Sequence, residues 1–99
     1  MARNAGSVEN FATKDVVIIN ELGLHARPAA MFVKVANQFN SEIFLEKEGE
    51  RVNGKSIMGV MMLAASKGTK LKLIAKGQDA AAAVQALEEL FLKKFGEAA

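Results

Sequence analysis

The apolar positions of the chain follow two spacings, and the change from one to the other predicts its elements. Alternating or β-branched segments predict strands at Asp15–Asn20, Ser41–Lys47, Glu50–Asn53 and Thr69–Lys76. Recurrence every three and four residues predicts helices that begin near Pro28, at Ile57 and after Asp79. The predicted order is β-α-β-β-α-β-α, without an internal repeat or linker.

Capping and breaking residues give the predicted helices their ends. Pro28 belongs to the first turn, where its missing N–H costs no hydrogen bond, and this helix should end near Asn40. Ser56 and Asp79 precede the second and third helices, where their side chains can cap backbone N–H groups. Gly96 should end the last helix.

The last predicted strand indicates which face of the sheet is buried. Its residues alternate, so that Leu71, Leu73 and Ala75 should face inward and Lys70, Lys72 and Ile74 outward. A sheet that is buried on one face only needs helices packed against that face. The predicted class is α+β, an open-faced β-sandwich, while the spacing alone leaves the order of the strands open.

The composition excludes several classes of protein. The chain has 99 residues, of which 51% are hydrophobic and 24% charged, as expected for one globular domain. Its apolar runs, such as Val16–Ile19 and Ile57–Ala65, are too short for membrane insertion. Cysteine is absent and there is one histidine, so no metal site is predicted. A net charge of +2 is too weak to indicate nucleic acid.

The first residues differ from the rest of the chain. Residues 1–12 interleave polar and apolar residues and lack the apolar core of about 7–15 residues that a signal peptide needs. We therefore expect a flexible leader at 1–12, a single domain at 13–99 and a cytoplasmic location.

The one histidine has an informative position. A lone histidine is most often an ordinary surface or core residue, but His25 directly precedes a predicted helix. The first N–H groups of a helix have no intrahelical acceptors and the helix dipole adds positive partial charge, which favours a bound anion. The same field disfavours a protonated imidazolium and leaves one ring nitrogen nucleophilic.

Two neighbours of His25 extend this chemistry. Arg27 places a guanidinium within reach of a phosphoryl group on the ring, and Gly23 permits a tight turn and close backbone approach. The combination predicts a histidine that carries phosphate covalently. The chain has no G-x-x-x-x-G-K-[ST] loop and no dinucleotide fingerprint, so the phosphate should come from another protein.

Two segments carry a family resemblance: Leu24–Ala29 with the upstream Asn20 and Gly23, and Gly54–Met61. They resemble HPr, the histidine-containing phosphocarrier of the bacterial phosphoenolpyruvate-dependent phosphotransferase system. The resemblance implies a four-stranded antiparallel sheet in the order 1-4-2-3 with three helices on one face. It also implies a monomer without a cofactor, which enzyme I phosphorylates and which passes the phosphate to enzyme IIA components for sugar uptake.

The resemblance also assigns roles to individual residues. His25 would be phosphorylated at Nδ1, and Arg27 would neutralise the phosphoryl group. The remaining positions that bind phosphate or shape the site would be Asn20, Gly23, Ala26 and Pro28.

The segment after Gly54 has two interpretations. Ser56 can be a plain helix cap, or it can also be the serine that an HPr kinase/phosphorylase modifies in many members of the family. If the short helix buries one face, Ile57, Met58 and Met61 are left on the surface, which favours partner docking over a core packed on both sides.

Other functions remain open. A carrier of the nitrogen-related branch would use the same histidine chemistry with regulatory acceptors, and an HPr-like regulator would bind partners without phosphotransfer. The β-α-β-β-α-β order also occurs in RNA-recognition folds, but the central strands offer only Phe44 for base stacking.

Overall fold

A computed structural model describes residues 10–97 and contains the predicted sequence of elements, followed by one extra turn. The strands are β1 Phe11–Val17, β2 Glu42–Lys47, β3 Glu50–Asn53 and β4 Lys70–Lys76. The helices are α1 Ala26–Ala36, α2 Ile57–Met62 and α3 Ala80–Leu92, with a short 3-10 turn at Lys94–Gly96.

The four strands form one antiparallel sheet in the order β1-β4-β2-β3, which confirms the order implied by the resemblance. The core consists of the inward residues of the sheet and one stripe from each helix, including Phe32, Val60 and Phe91. In residues 10–97, no helix has the length and apolar character that crossing a membrane requires.

The first strand begins and ends earlier than predicted. Phe11 pairs with Lys76 and Val17 pairs with Lys70, so β1 ends where its partner β4 begins. The apolar run continues through Ile18, which is fully buried but lies outside the strand. The strand also takes in the last two residues of the predicted leader 1–12, of which residues 1–9 lie outside the described residues.

Ile74 corrects the predicted exposure of the outer sheet face. It lies outside the core cluster, yet it is only 2% exposed. Its neighbours in register are Thr13 on β1 and Phe44 on β2. Arg51 and Lys76 place their charges 5.4 and 5.8 Å from the centre of the Phe44 ring. The outer face is therefore partly covered by an aromatic ring and the stems of basic side chains.

Asp79 precedes α3 as predicted, but its side chain does not cap the helix. Its carboxylate instead accepts hydrogen bonds from the backbone N–H groups of Asn40, at 2.8 Å, and Ser41, at 2.9 Å, and from the Ser41 hydroxyl. The Ser41 hydroxyl is the main reason that the pKa of Asp79 lies below its ordinary value, and the Asn40 N–H lowers it further. Asp79 thus fastens the start of β2 to the start of α3.

Candidate functional site

His25 is the N-cap residue of α1. The helix begins at Ala26, two residues before the predicted start near Pro28. Its backbone is extended (φ −75°, ψ −171°), and its carbonyl accepts the first helical hydrogen bond from Ala29 at 3.0 Å. Pro28 is the third helical residue and lies in the first turn as predicted. The imidazole makes no hydrogen bond that caps the helix.

A tight turn at Asn20–Gly23 precedes His25. The Gly23 N–H donates to the Asn20 carbonyl at 3.2 Å, and Gly23 has φ +68°, a conformation that favours glycine. A Cβ on Gly23 would lie 2.5 Å from the Ala65 carbonyl oxygen. The Leu24 N–H donates to that oxygen at 2.9 Å. The close approach predicted for Gly23 is therefore made to the segment after α2.

The start of α1 keeps two donors for an anion. Among the hydrogen bonds described for residues 10–97, none uses the backbone N–H of Ala26 or Arg27, and Pro28 has no N–H. The first turn carries no acidic side chain, so the partial positive charge of the helix terminus is not neutralised from within the helix. These two N–H groups follow His25 directly in the chain.

A carboxylate that the sequence analysis did not identify contacts His25. Glu97 Oε2 lies 2.9 Å from His25 Nε2. Since an ionised carboxylate only accepts hydrogen bonds, Nε2 must carry the proton. In the neutral ring this assignment leaves the lone pair on Nδ1, which is the nitrogen that the resemblance implied.

The buried Asn20 side chain also donates a hydrogen bond to the Glu97 carboxylate. Its side-chain Nδ2 donates to the Gly23 carbonyl at 2.8 Å and to Glu97 Oε1 at 3.2 Å, and the residue is 1% exposed. The pKa of Glu97 lies below its ordinary value, chiefly because of the hydrogen bond from His25, with a smaller lowering by Asn20. Glu97 is therefore ionised near neutral pH.

The chain reaches Glu97 through a left-handed turn. α3 ends at Leu92, earlier than the predicted Gly96, and Lys94, Phe95 and Gly96 then have φ of +55°, +53° and +78°. Phe95 is 3% exposed and packs edge-on against Phe91, with ring centres 4.9 Å apart. Burial of this ring offsets the strain of two non-glycine residues in the left-handed region. No periodicity marks this segment, so no pattern along the chain indicates Glu97 as a site residue.

Arg27 is exposed on the first turn of α1 and forms no ion pair in the described part of the chain. Its charge contributes the smallest of the effects that lower the pKa of Glu97. The guanidinium is thus near the site and uncommitted. Residues 10–97 contain no cluster of three potential metal ligands.

The short helix α2 has the predicted cap. The Ser56 hydroxyl accepts a hydrogen bond from the Gly59 N–H at 3.0 Å. Val60 faces the core with no exposed surface. On the other side lies an apolar patch, which we define as Ile57, Met58 and Met61, exposed by 45%, 75% and 41%. The one-sided burial is confirmed, whereas a docking role for the patch stays a prediction.

Comparison with known proteins gives a consistent result. The family described as the PTS HPr component phosphorylation site matches residues 12–93. Phosphocarrier protein HPr of Neisseria meningitidis is 52% identical over 84 residues, covering 85% of this chain and 94% of the relative. The HPr-like protein Crh of Bacillus subtilis is 58% identical over 65 residues, covering 66% of this chain and 76% of the relative.

Solved structures agree with these relatives. A crystal structure of HPr from Thermoanaerobacter tengcongensis superimposes with a TM-score of 0.86 at 48% identity, covering 89% of this chain and 99% of that one. An HPr dimer from the same organism has a TM-score of 0.71 at 52% identity, covering 81% and 92%. The chain belongs to the HPr family of phosphocarriers of the phosphotransferase system.

Proposed function

We propose that His25 accepts a phosphoryl group on Nδ1 from phosphorylated enzyme I and passes it to enzyme IIA components during sugar uptake. The observation that carries this proposal is the contact of His25 Nε2 with Glu97, which leaves Nδ1 as the nucleophile beside the start of α1. The ring is 36% exposed, so a partner protein can reach it. We also propose a cytoplasmic location for the protein.

The charges around the ring suit the transfer in both directions. Attack by Nδ1 forms the new P–N bond while the bond from phosphorus to the donor breaks, and Nε2 keeps its proton. The phosphorylated ring is then positively charged, and the Glu97 carboxylate stabilises it from the Nε2 side. The N–H groups of Ala26 and Arg27, together with the Arg27 guanidinium, can hold the phosphoryl oxygens. Asn20 and Gly23 shape the turn that carries the ring.

Phosphorylation with a defined donor tests this function. Phosphoenolpyruvate, Mg²⁺ and a bacterial enzyme I should add one phosphate that is labile in acid, as expected for a phosphohistidine. His25→Ala should abolish the labelling while circular dichroism and the melting temperature show an intact fold. Label that is stable in acid, or that survives the substitution, would contradict the assignment.

Ser56 is proposed as a site of regulatory phosphorylation by an HPr kinase/phosphorylase. Its hydroxyl lies at the start of α2, where a phosphate is tolerated structurally because it meets backbone N–H groups. The apolar patch of Ile57, Met58 and Met61 begins at the next residue. A charge on Ser56 would therefore weaken docking of partners on this patch through desolvation and repulsion.

Two variants test the docking surface. Ser56→Asp keeps a side-chain acceptor for the Gly59 N–H, so its melting temperature should change little. Met58→Glu places a charge in the patch without touching the cap. Both should weaken binding of non-phosphorylated enzyme I, measured by calorimetry at two salt concentrations, while Lys34→Glu on α1 provides a charge-change control outside the patch. Affinities equal to wild type in both variants would show that α2 does not dock enzyme I.

A regulator without phosphotransfer is the second candidate, because the chain is 58% identical to an HPr-like protein Crh over 65 residues. The retained His25 and its Glu97 partner favour the carrier. The nitrogen-branch alternative differs only in its acceptors and is separated by supplying purified acceptor proteins of each branch. The predicted monomer is tested by light scattering, since three similar structures are dimers.

A further inference from the structure

The segment after α2 supports the turn that carries His25. The Ala65 carbonyl accepts the Leu24 N–H at 2.9 Å, and the backbone at Ala65 leaves no room for a side chain on Gly23. His25 follows Leu24 directly. Any displacement of Ala65 would therefore be transmitted to the histidine by one hydrogen bond and one steric contact.

Ala64, immediately before this support, has φ +49° although it is not a glycine. A residue in the left-handed region keeps that conformation only when the flanking chain is held on both sides. On the far side the Leu24–Ala65 hydrogen bond holds the chain. On the near side the chain leaves α2 at Leu63, which caps the C-terminus of this six-residue helix.

Lys47 adds an attachment on the near side, where the side chain of Leu63 is also buried. Its Nζ donates to the Leu63 carbonyl at 2.9 Å, reaching from the end of β2 to the end of α2. A positive charge at a helix C-terminus also interacts favourably with the helix dipole. No basic side chain of α2 itself serves this purpose, because its last turn contains no basic residue.

We propose that Lys47 is a positioning residue for His25, acting through Leu63, Ala64 and Ala65 on the turn before α1. It touches neither the phosphoryl group nor the histidine. This role rests on the proposed function only in its consequence for phosphotransfer. The structural part, control of the Leu24–Ala65 hydrogen bond by Lys47, stands independently of which proteins donate or accept phosphate.

A matched lysine provides the control. Lys55 Nζ donates to the Phe39 carbonyl at 2.7 Å, which is likewise a lysine bonded to the chain just after a helix, here α1. Lys47→Met and Lys55→Met remove equivalent bonds and keep most of the apolar stem. Only the first lies on the path to Leu24.

Amide hydrogen exchange gives the deciding measurement, with the Leu73 amide of the central strand β4 as the internal reference for global unfolding. Lys47→Met should raise the exchange rate of the Leu24 amide relative to that of Leu73 by about fivefold or more. A change of this size is expected when a partly exposed, charge-assisted hydrogen bond is lost. Lys55→Met should leave that ratio unchanged. Lys47→Arg keeps a charged donor and should retain the wild-type ratio. An unchanged ratio in Lys47→Met, or equal rises in all three variants, would overturn the proposal.

The ¹⁵N chemical shifts of the His25 ring provide the functional readout. Lys47→Met should broaden or shift them, because the ring is held less firmly, and should lower the phosphotransfer rate from enzyme I. If the wild-type protein accepts no phosphate, the proposed function fails, yet the Leu24 exchange ratio still decides the role of Lys47.

Discussion

Replacement of Gly23 by alanine tests whether the turn before His25 is built against the segment after α2. Gly23 and Gly49 both have positive φ, +68° and +86°. A Cβ at Gly23 would lie 2.5 Å from the Ala65 oxygen and 2.8 Å from the Ser66 Cα, whereas a Cβ at Gly49 meets nothing within 4 Å. The two substitutions therefore share the conformational penalty and differ in the steric one.

The expected magnitudes follow from this difference. An alanine in the left-handed region costs about 1–2 kcal/mol at either position. At Gly23 the overpacking adds about 1–3 kcal/mol. Displacement of Ala65 would also weaken its hydrogen bond with Leu24, a further loss of about 1 kcal/mol. Gly23→Ala should therefore be less stable than Gly49→Ala by about 2–4 kcal/mol.

Urea denaturation followed by circular dichroism measures both variants under identical conditions. For a domain of this size, the difference corresponds to a melting temperature lower by about 8–30 °C in Gly23→Ala. Phosphorylation of His25 should also be slower in this variant at a temperature where it is still folded. Equal losses of stability in the two variants would refute the close approach as a structural constraint.

Three further predictions concern charges. Arg27→Ala should slow transfer by about tenfold while the melting temperature is retained, because a charge-assisted contact to the phosphoryl group is lost; an unchanged rate would remove Arg27 from the site. Glu97→Gln should shift the ¹⁵N resonances of His25 away from the Nε2–H form, and unchanged shifts would contradict the tautomer assigned here. The pKa of Asp79 is lower in the folded protein than in the unfolded chain, where it is about 3.9. The ionised carboxylate therefore stabilises the fold at pH values above the unfolded pKa, and this contribution is lost as the pH falls through the folded pKa. The urea midpoint should therefore fall less steeply below pH 4 in Asp79→Asn than in wild type, and parallel curves would contradict the linkage.

Local patterns predicted most of the architecture because each element carries its own signal. The alternation on β2 and the cap at Ser56 are read within a few residues and appear in the structure as predicted. The end of β1 is different, since Val17 is last in the strand only because its partner β4 begins at Lys70. An apolar run shows burial, but it does not show where a distant partner stops.

The site could be predicted only in part, because some of its residues are placed by local chain order and others by distant contacts. His25 precedes α1, and its position beside free N–H groups follows from local chain order. Glu97 contacts it from 72 residues away through a turn that depends on burial of Phe95. Asp79 has a typical capping position, yet Ser41 and Asn40 compete successfully for its carboxylate. Hydrogen bonds between residues that are far apart in the chain leave no periodic pattern in the sequence, so they could not be predicted from it.

The strand order has a consequence for how the protein is made. Within residues 10–97, β1 pairs only with β4, so β1 has no described partner until about sixty residues later in translation. The β2–β3 hairpin, in contrast, joins neighbours through Glu48 and Gly49, both at positive φ, and can form as soon as it emerges. Phe95 enters the core only after the four described strands and α3 have emerged. The sheet is therefore incomplete until β4 has been made, and the histidine meets its carboxylate only after the segment that follows α3 has emerged.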